Sequence, residues 1–210
     1  KHAGLNLQIH SKMRSHFISE YLTHWTGNGK DDNQGFNNLM SILSNCRLLL
    51  SDGAPHFRTA WSGAHLRMTC FTDIPHHLSS EHCQRYGKFG IAFKKRVLID
   101  YGANPVLYLT SLKKDDAEKV YNYICDANTG KIALNSEVLE SLKKFFGFVQ
   151  DYEYGTETYY YEREWRILQN NLEYCEGSVI QPGKYDSSIQ NGKKQYYFQF
   201  SQNDVEFLIC

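Results

Sequence analysis

The chain has 210 residues, with 23 Lys+Arg against 23 Asp+Glu and no formal net charge at neutral pH. That balance excludes a strong overall field toward nucleic acid or a membrane surface and leaves room only for a local basic groove. The length suits one sizeable domain over residues 1–210, and no Pro- or Ser-rich linker divides it.

Aromatic residues make up 14% of the chain, among them 15 Tyr and 12 Phe; they favour strands, and core packing accounts for most of them. No apolar run of about eighteen residues and no signal-peptide pattern occurs, which predicts a cytoplasmic chain with no membrane partner. The six cysteines (Cys46, Cys70, Cys83, Cys125, Cys175 and Cys210) form no CxxC pair, so reduced thiols are expected, with neither a disulfide nor a metal site.

In chain order, residues 7–20 carry loosely helical apolar spacing and predict an N-terminal helix. Tyr21 to Gly27 reads as a strand ending in a Gly-Asn-Gly loop, with His24 and Thr26 on one face. Phe36, Leu39, Met40, Leu43 and Cys46 fall at helical spacing, with Asn33 or Gly35 near the start, and Leu48 to Leu50 follows as a strand. Residues 51–65 predict a loop long enough to be a lid or binding segment.

Leu66 to Asp73 alternates as a strand, placing Phe71 and Thr72 on opposite faces. His76, His77, Glu81, His82 and Cys83 then crowd together, and a helix would make His77 and Glu81 neighbours. Zinc takes such side chains, but the usual spaced ligand pairs are absent and a polar helix face is the better account. Phe89 to Phe93 is a strand that turns Phe89, Ile91 and Phe93 inward and leaves Gly90 and Ala92 bare on the other face; close approach of a ligand or another backbone and a tight bend are equally good accounts. Strands at 106–109, 195–200 and 205–209 and amphipathic helices at 113–125 and 135–147 complete the scaffold.

The densest stretch is Tyr159 to Leu168, read as one strand with Glu162, Glu164 and Arg166 on one face and Arg163, Trp165 and Ile167 on the other. Two glutamates on one strand face repel, which raises the proton affinity of at least one of them. A cleft lined by the pair and a solvated face with Arg166 bridging both carboxylates are equally good accounts.

Three blocks carry a family resemblance: His24-Trp25-Thr26 with the helix core Asn38, Leu39, Ile42 and Leu43; Cys70 to Pro75 through Glu81-His82 and Arg85 to Phe93; and Tyr161 to Arg166. Together they resemble the AbiGi-type abortive-infection family of bacterial phage-resistance proteins, a family that carries an antitoxin label. The order of a strand His, a middle strand with hydroxyl and aromatic residues, and a late Glu-x-Glu is also similar to ADP-ribosyltransferases, including DNA ADP-ribosylating toxins.

The second resemblance implies an α+β fold of two packed antiparallel β-sheets flanked by helices, ADP-ribosyltransferase-like. It implies an NAD-dependent ADP-ribosyltransferase acting as a toxin in anti-phage defence. Glu164 would stabilise the oxocarbenium-like state of the NAD ribose and Glu162 would serve the acceptor. His24 and Thr26 would hold the dinucleotide, with Phe71, Thr72, Tyr86 and Phe89 as candidates for the nicotinamide pocket; Phe71 and Thr72 exclude one another. The implied partners are NAD, an RNA, DNA or protein acceptor with nucleic acid slightly favoured, and a cognate antitoxin or toxin. The alternative is a non-catalytic antitoxin or partner-binding module, and a metal-dependent nuclease is the third reading.

Overall fold

The computed structural model describes residues 18–53, 66–154, 157–169, 185–190 and 193–210. Most of the expected N-terminal helix, and the expected lid from residue 54 onward, lie outside the described residues.

Strand β1 (Tyr21–Thr26) leads through a glycine turn into α1 (Asp32–Asn45), then β2 (Arg47–Leu49), β3 (Ser51–Gly53) and β4 (Leu66–Thr72). A short 3-10 turn at His76–Leu78 precedes α2 (Ser80–Tyr86), β5 (Phe89–Lys94), α3 (Lys95–Asp100), β6 (Asn104–Pro105) and β7 (Leu107–Leu109). Helices α4 (Ser111–Asn128) and α5 (Ser136–Phe146) are followed by β8 (Val149–Asp151) and the small pair β9 (Glu153–Tyr154) and β10 (Glu157–Thr158). A second 3-10 turn at Tyr159–Glu162 enters β11 (Glu164–Leu168), and β12 (Tyr185–Gln190), β13 (Lys193–Gln199) and β14 (Val205–Ile209) close the chain.

The main sheet has seven strands in the order β14-β5-β1-β4-β11-β6, with β3 pairing β4 off that path. Its strands are antiparallel, and a three-stranded antiparallel sheet, β12-β13-β2, lies apart from it. Both sheets feed one core: Leu22, Phe71, Ile91, Phe93 and Ile167 from the main sheet meet Leu48, Phe198 and Phe200 from the small one and Leu39 from α1. The expected α+β class with antiparallel sheets is therefore what forms. One pairing departs from it, since β7 and β8 run parallel and pack with α4 and α5 around Tyr121, Ile124, Phe146 and Val149.

Local sequence explains several boundaries. Asp31 caps α1 by accepting from the Gln34 backbone at 2.8 Å, so the helix starts before Asn33 and Gly35. His77 and Glu81 fall in separate elements and are not helical neighbours. The Gly90–Ala92 face is covered rather than bare: both residues are buried, and a Cβ at Gly90 would meet Thr23, Trp25 and Ile209 side chains at 3.1–3.3 Å.

The largest correction concerns Tyr159 to Leu168, which is not one strand. Tyr159–Glu162 coils as a 3-10 turn, Arg163 takes a left-handed conformation (φ 46°), and the strand begins only at Glu164. Tyr160 stacks on Tyr152 and meets Tyr108 edge-on, and this aromatic packing outweighs the strand preference of three consecutive tyrosines. Glu162 and Glu164 consequently do not share a strand face.

Candidate functional site

Strands β1 and β4 pair at a single position, Thr23 with Thr72. Beyond it they part, and β4 pairs β3 only further along, with Ser51 opposite Met68 and Gly53 opposite Leu66, so that Thr69, Cys70 and Phe71 have no ladder partner on that side among the described residues. The fork so formed opens a cleft of about 270 Å³ lined by Thr23, His24, Trp25, Leu49, Ser51, Thr69, Cys70, Phe71, Thr72, His82, Tyr86, Glu162 and Glu164. The imidazole of His24 spans the split, its Nδ1 lying 2.9 Å from the Cys70 carbonyl oxygen. A carbonyl only accepts, so Nδ1 carries the proton of that bond and Nε2 is left as an acceptor in the neutral ring.

The two glutamates reach the cleft from different elements and are held differently. Glu164 takes both of its oxygens to Arg166, at 2.9 Å from Nε and 2.8 Å from Nη2. Arg166 is buried and gives its remaining hydrogens to the Gly147 and Val149 carbonyls and to Gln150. Burial opposes its charge, yet the Glu164 carboxylate holds its pKa above the ordinary arginine value. Gly147 permits this arrangement, since a Cβ there would stand 2.5 Å from Leu168.

Glu162 instead accepts from Tyr86 Oη and, at 3.0 Å, from Arg85. Its pKa is raised, first by desolvation and then by the charge of Glu164. Arg166 therefore bridges one carboxylate and not both. Thr72 ties the turn down by donating from Oγ1 to the Glu162 carbonyl at 2.6 Å, and Asp73 N donates to the Arg163 carbonyl.

Of the residues marked from sequence, the cleft brings together His24, Phe71, Thr72, Tyr86, Glu162 and Glu164. Phe71 and Thr72 both line it, Phe71 from the core side, because an open fork exposes both faces of a strand to one space. Thr26 is buried, with Asn38 donating to it at 3.4 Å, and is not among the lining residues. Phe89 packs on Phe36 and lines a separate hollow beside the Gly27–Lys30 turn. Trp25, Cys70, His82 and Arg85 are not among the residues marked from sequence although all four lie in the family blocks, and Thr69 carries no signal beyond its place in the Leu66 to Asp73 strand.

Two lining residues hold a buried polar atom with no partner among the described residues: Trp25 Nε1 and Thr69 Oγ1. Leaving such a group unpaired costs about 1–3 kcal/mol. Cys70 is kept as a thiol, pushed well up by burial and by the nearby Glu164. Among the described residues no group of three or more His, Cys, Asp or Glu could hold a metal ion, and the described cysteines are free thiols. No helix among them is long and apolar enough to cross a membrane.

Desolvation lowers the pKa of both His24 and His82, and the charge of Arg85 adds to it at His82. A histidine whose folded pKa lies below its unfolded value contributes in full above about pH 6.5, and that contribution is lost as pH falls through the range between the two. Glu162, with its raised value, has the opposite sign: it adds stability as pH falls through its folded pKa toward about 4.5. His82→Gln is expected to flatten the loss of melting temperature between about pH 7.5 and 5.5. An unchanged slope would remove His82 from this account.

The model of the family described as "Putative abortive phage resistance protein AbiGi, antitoxin" matches residues 58–210. A relative named abortive phage resistance protein AbiGi, from Lactococcus lactis subsp. cremoris, is 28% identical over 177 residues, covering 69% of this chain and 71% of the relative. No solved structure matches. The expectation of an NAD-dependent ADP-ribosyltransferase toxin is overturned by the antitoxin description, and the ADP-ribosyltransferase-like fold assignment gains no solved counterpart.

Proposed function

Because the chain belongs to the AbiGi family of abortive phage resistance proteins, we propose that it acts as the antitoxin of an abortive-infection pair and works by binding a cognate toxin protein. The antitoxin description of the family and the name of the relative support the phage-defence setting. The observation that carries binding over turnover is the state of Glu164, the carboxylate expected to act on a substrate. Both of its oxygens are taken by a buried arginine of its own strand, so it serves to fix the wall of the cleft.

A cleft with rigid, internally neutralised acidic groups recognises a partner's surface without needing a free base or nucleophile. No step through NAD, and no nucleic-acid acceptor, belongs to this reading. Co-expression with a cognate abortive-infection toxin tests it. The expected result is relief of growth arrest together with a stoichiometric complex on gel filtration. Persistence of growth arrest, with no complex formed, would refute it.

A further inference from the structure

Around Glu162 the inner cleft meets a second, outer groove, and the two share His82 and Glu162 as a common wall. The outer groove runs along α2 past Glu81, Gln84 and Arg85 to Thr158 and Tyr161. Tyr161 is 67% exposed and its neighbour Tyr160 is 51% exposed, the aromatic, low-entropy surface that anchors protein contacts. Such a groove is shaped for an extended segment, with the fork beneath it as a socket for one side chain.

The socket's unpartnered atoms narrow what that side chain is. Trp25 on β1 can only donate, and Thr69 on β4 can donate or accept, so the two walls of the fork each ask for a polar partner. Lysine and arginine offer no acceptor to Trp25. A carboxylate offers no donor and meets Glu162 and Glu164. A hydroxyl has a single oxygen to share between the two walls, whereas an aliphatic chain satisfies neither. A carboxamide carries its acceptor and its donors on separate atoms, and His24 Nε2 is a further acceptor for its N–H.

We propose that the fork between β1 and β4 is the anchor socket for the toxin: an asparagine or glutamine side chain of the partner enters it while the segment bearing that residue lies in the outer groove beside Tyr161. The inference rests on the antitoxin reading and names the chemistry by which that reading would recognise its partner.

The full chain, labelled with ¹⁵N, tests the socket without the toxin. The chain holds three tryptophans, and the indole N–H of Trp25 is the resonance lost in Trp25→Phe. N-acetyl-glutamine methylamide is expected to shift that resonance saturably, while the glutamate and leucine counterparts leave it in place. Thr69→Val keeps the shape of the side chain and removes the unpartnered hydroxyl. It should weaken the glutamine probe by about fivefold or more while melting at or above the parent temperature.

A glutamine probe that leaves Trp25 unshifted, or a leucine probe that shifts it equally, overturns the proposal whatever the behaviour of Thr69→Val. A toxin complex formed by a chain that ignores the glutamine probe sinks the socket alone and leaves the antitoxin reading standing. A chain that binds the probe but forms no toxin complex sinks the antitoxin reading, and the toxin as occupant goes with it.

Discussion

Arg166→Met is expected to remove about 3–5 kcal/mol of folding stability, the usual cost of breaking a buried ion pair from one side. The substitution leaves Glu164 buried without its cation and deprives the Gly147 and Val149 carbonyls and Gln150 of their donor. Arg166 is 5% exposed, so water does not replace those bonds. Urea denaturation of the parent, Arg166→Met, Glu164→Gln and the double variant measures it. The double variant should lose less than the sum of the singles, because removing both charges leaves neither unpaired. A single-variant loss below about 1 kcal/mol, a surface-pair value, would mean that Arg166 does not hold the cleft wall.

Gly87→Ala comes second, at an expected cost of about 2–4 kcal/mol from backbone strain combined with overpacking. Gly87 has φ 107° and ψ 163°, a region that residues with a Cβ avoid. The added carbon would stand 2.3 Å from the Thr26 carbonyl oxygen and 2.7–2.8 Å from backbone atoms of Gly27 and Asn28. Those are main-chain atoms and cannot swing aside. The strain falls on the junction that seats α2, the helix carrying His82, Arg85 and Tyr86, against the end of β1. A lower melting temperature with a displaced Trp25 indole resonance is expected. A variant that melts with the parent would show that this junction tolerates a shift.

Much of the scaffold was legible because it rests on local periodicity. The alternation of Leu66 to Thr72 and of Phe89 to Phe93, and the helical spacing of residues 113–125 and 135–147, each record which side of an element meets the core. The structure keeps all four elements, with Ile91 and Phe93 fully buried. His24, Thr72 and Glu164 line one cleft, a grouping that was marked from the order of motifs and not from local periodicity. The triple tyrosine was misread because its strand propensity is local, whereas stacking on Tyr152 and Tyr108 is not.

By itself, then, the sequence determined the α+β class, most helices and strands, and the family blocks, all of which depend on the pattern of neighbours a few residues apart. Only the tertiary structure decided what the acidic pair does. Glu162 bonds residues 76 and 77 positions away, and the fork that forms the cleft opens where β1 and β4 part after Thr23 and Thr72, short of the Leu66–Met68 stretch that pairs β3. Arg166 sits two residues from Glu164, a spacing visible in the sequence, but its burial against Gly147, Val149 and Gln150 is set by the packing of β8 behind β11. Charge spacing along a strand cannot tell a free carboxylate from a neutralised one, because the answer depends on where distant backbone carbonyls and side chains come to rest.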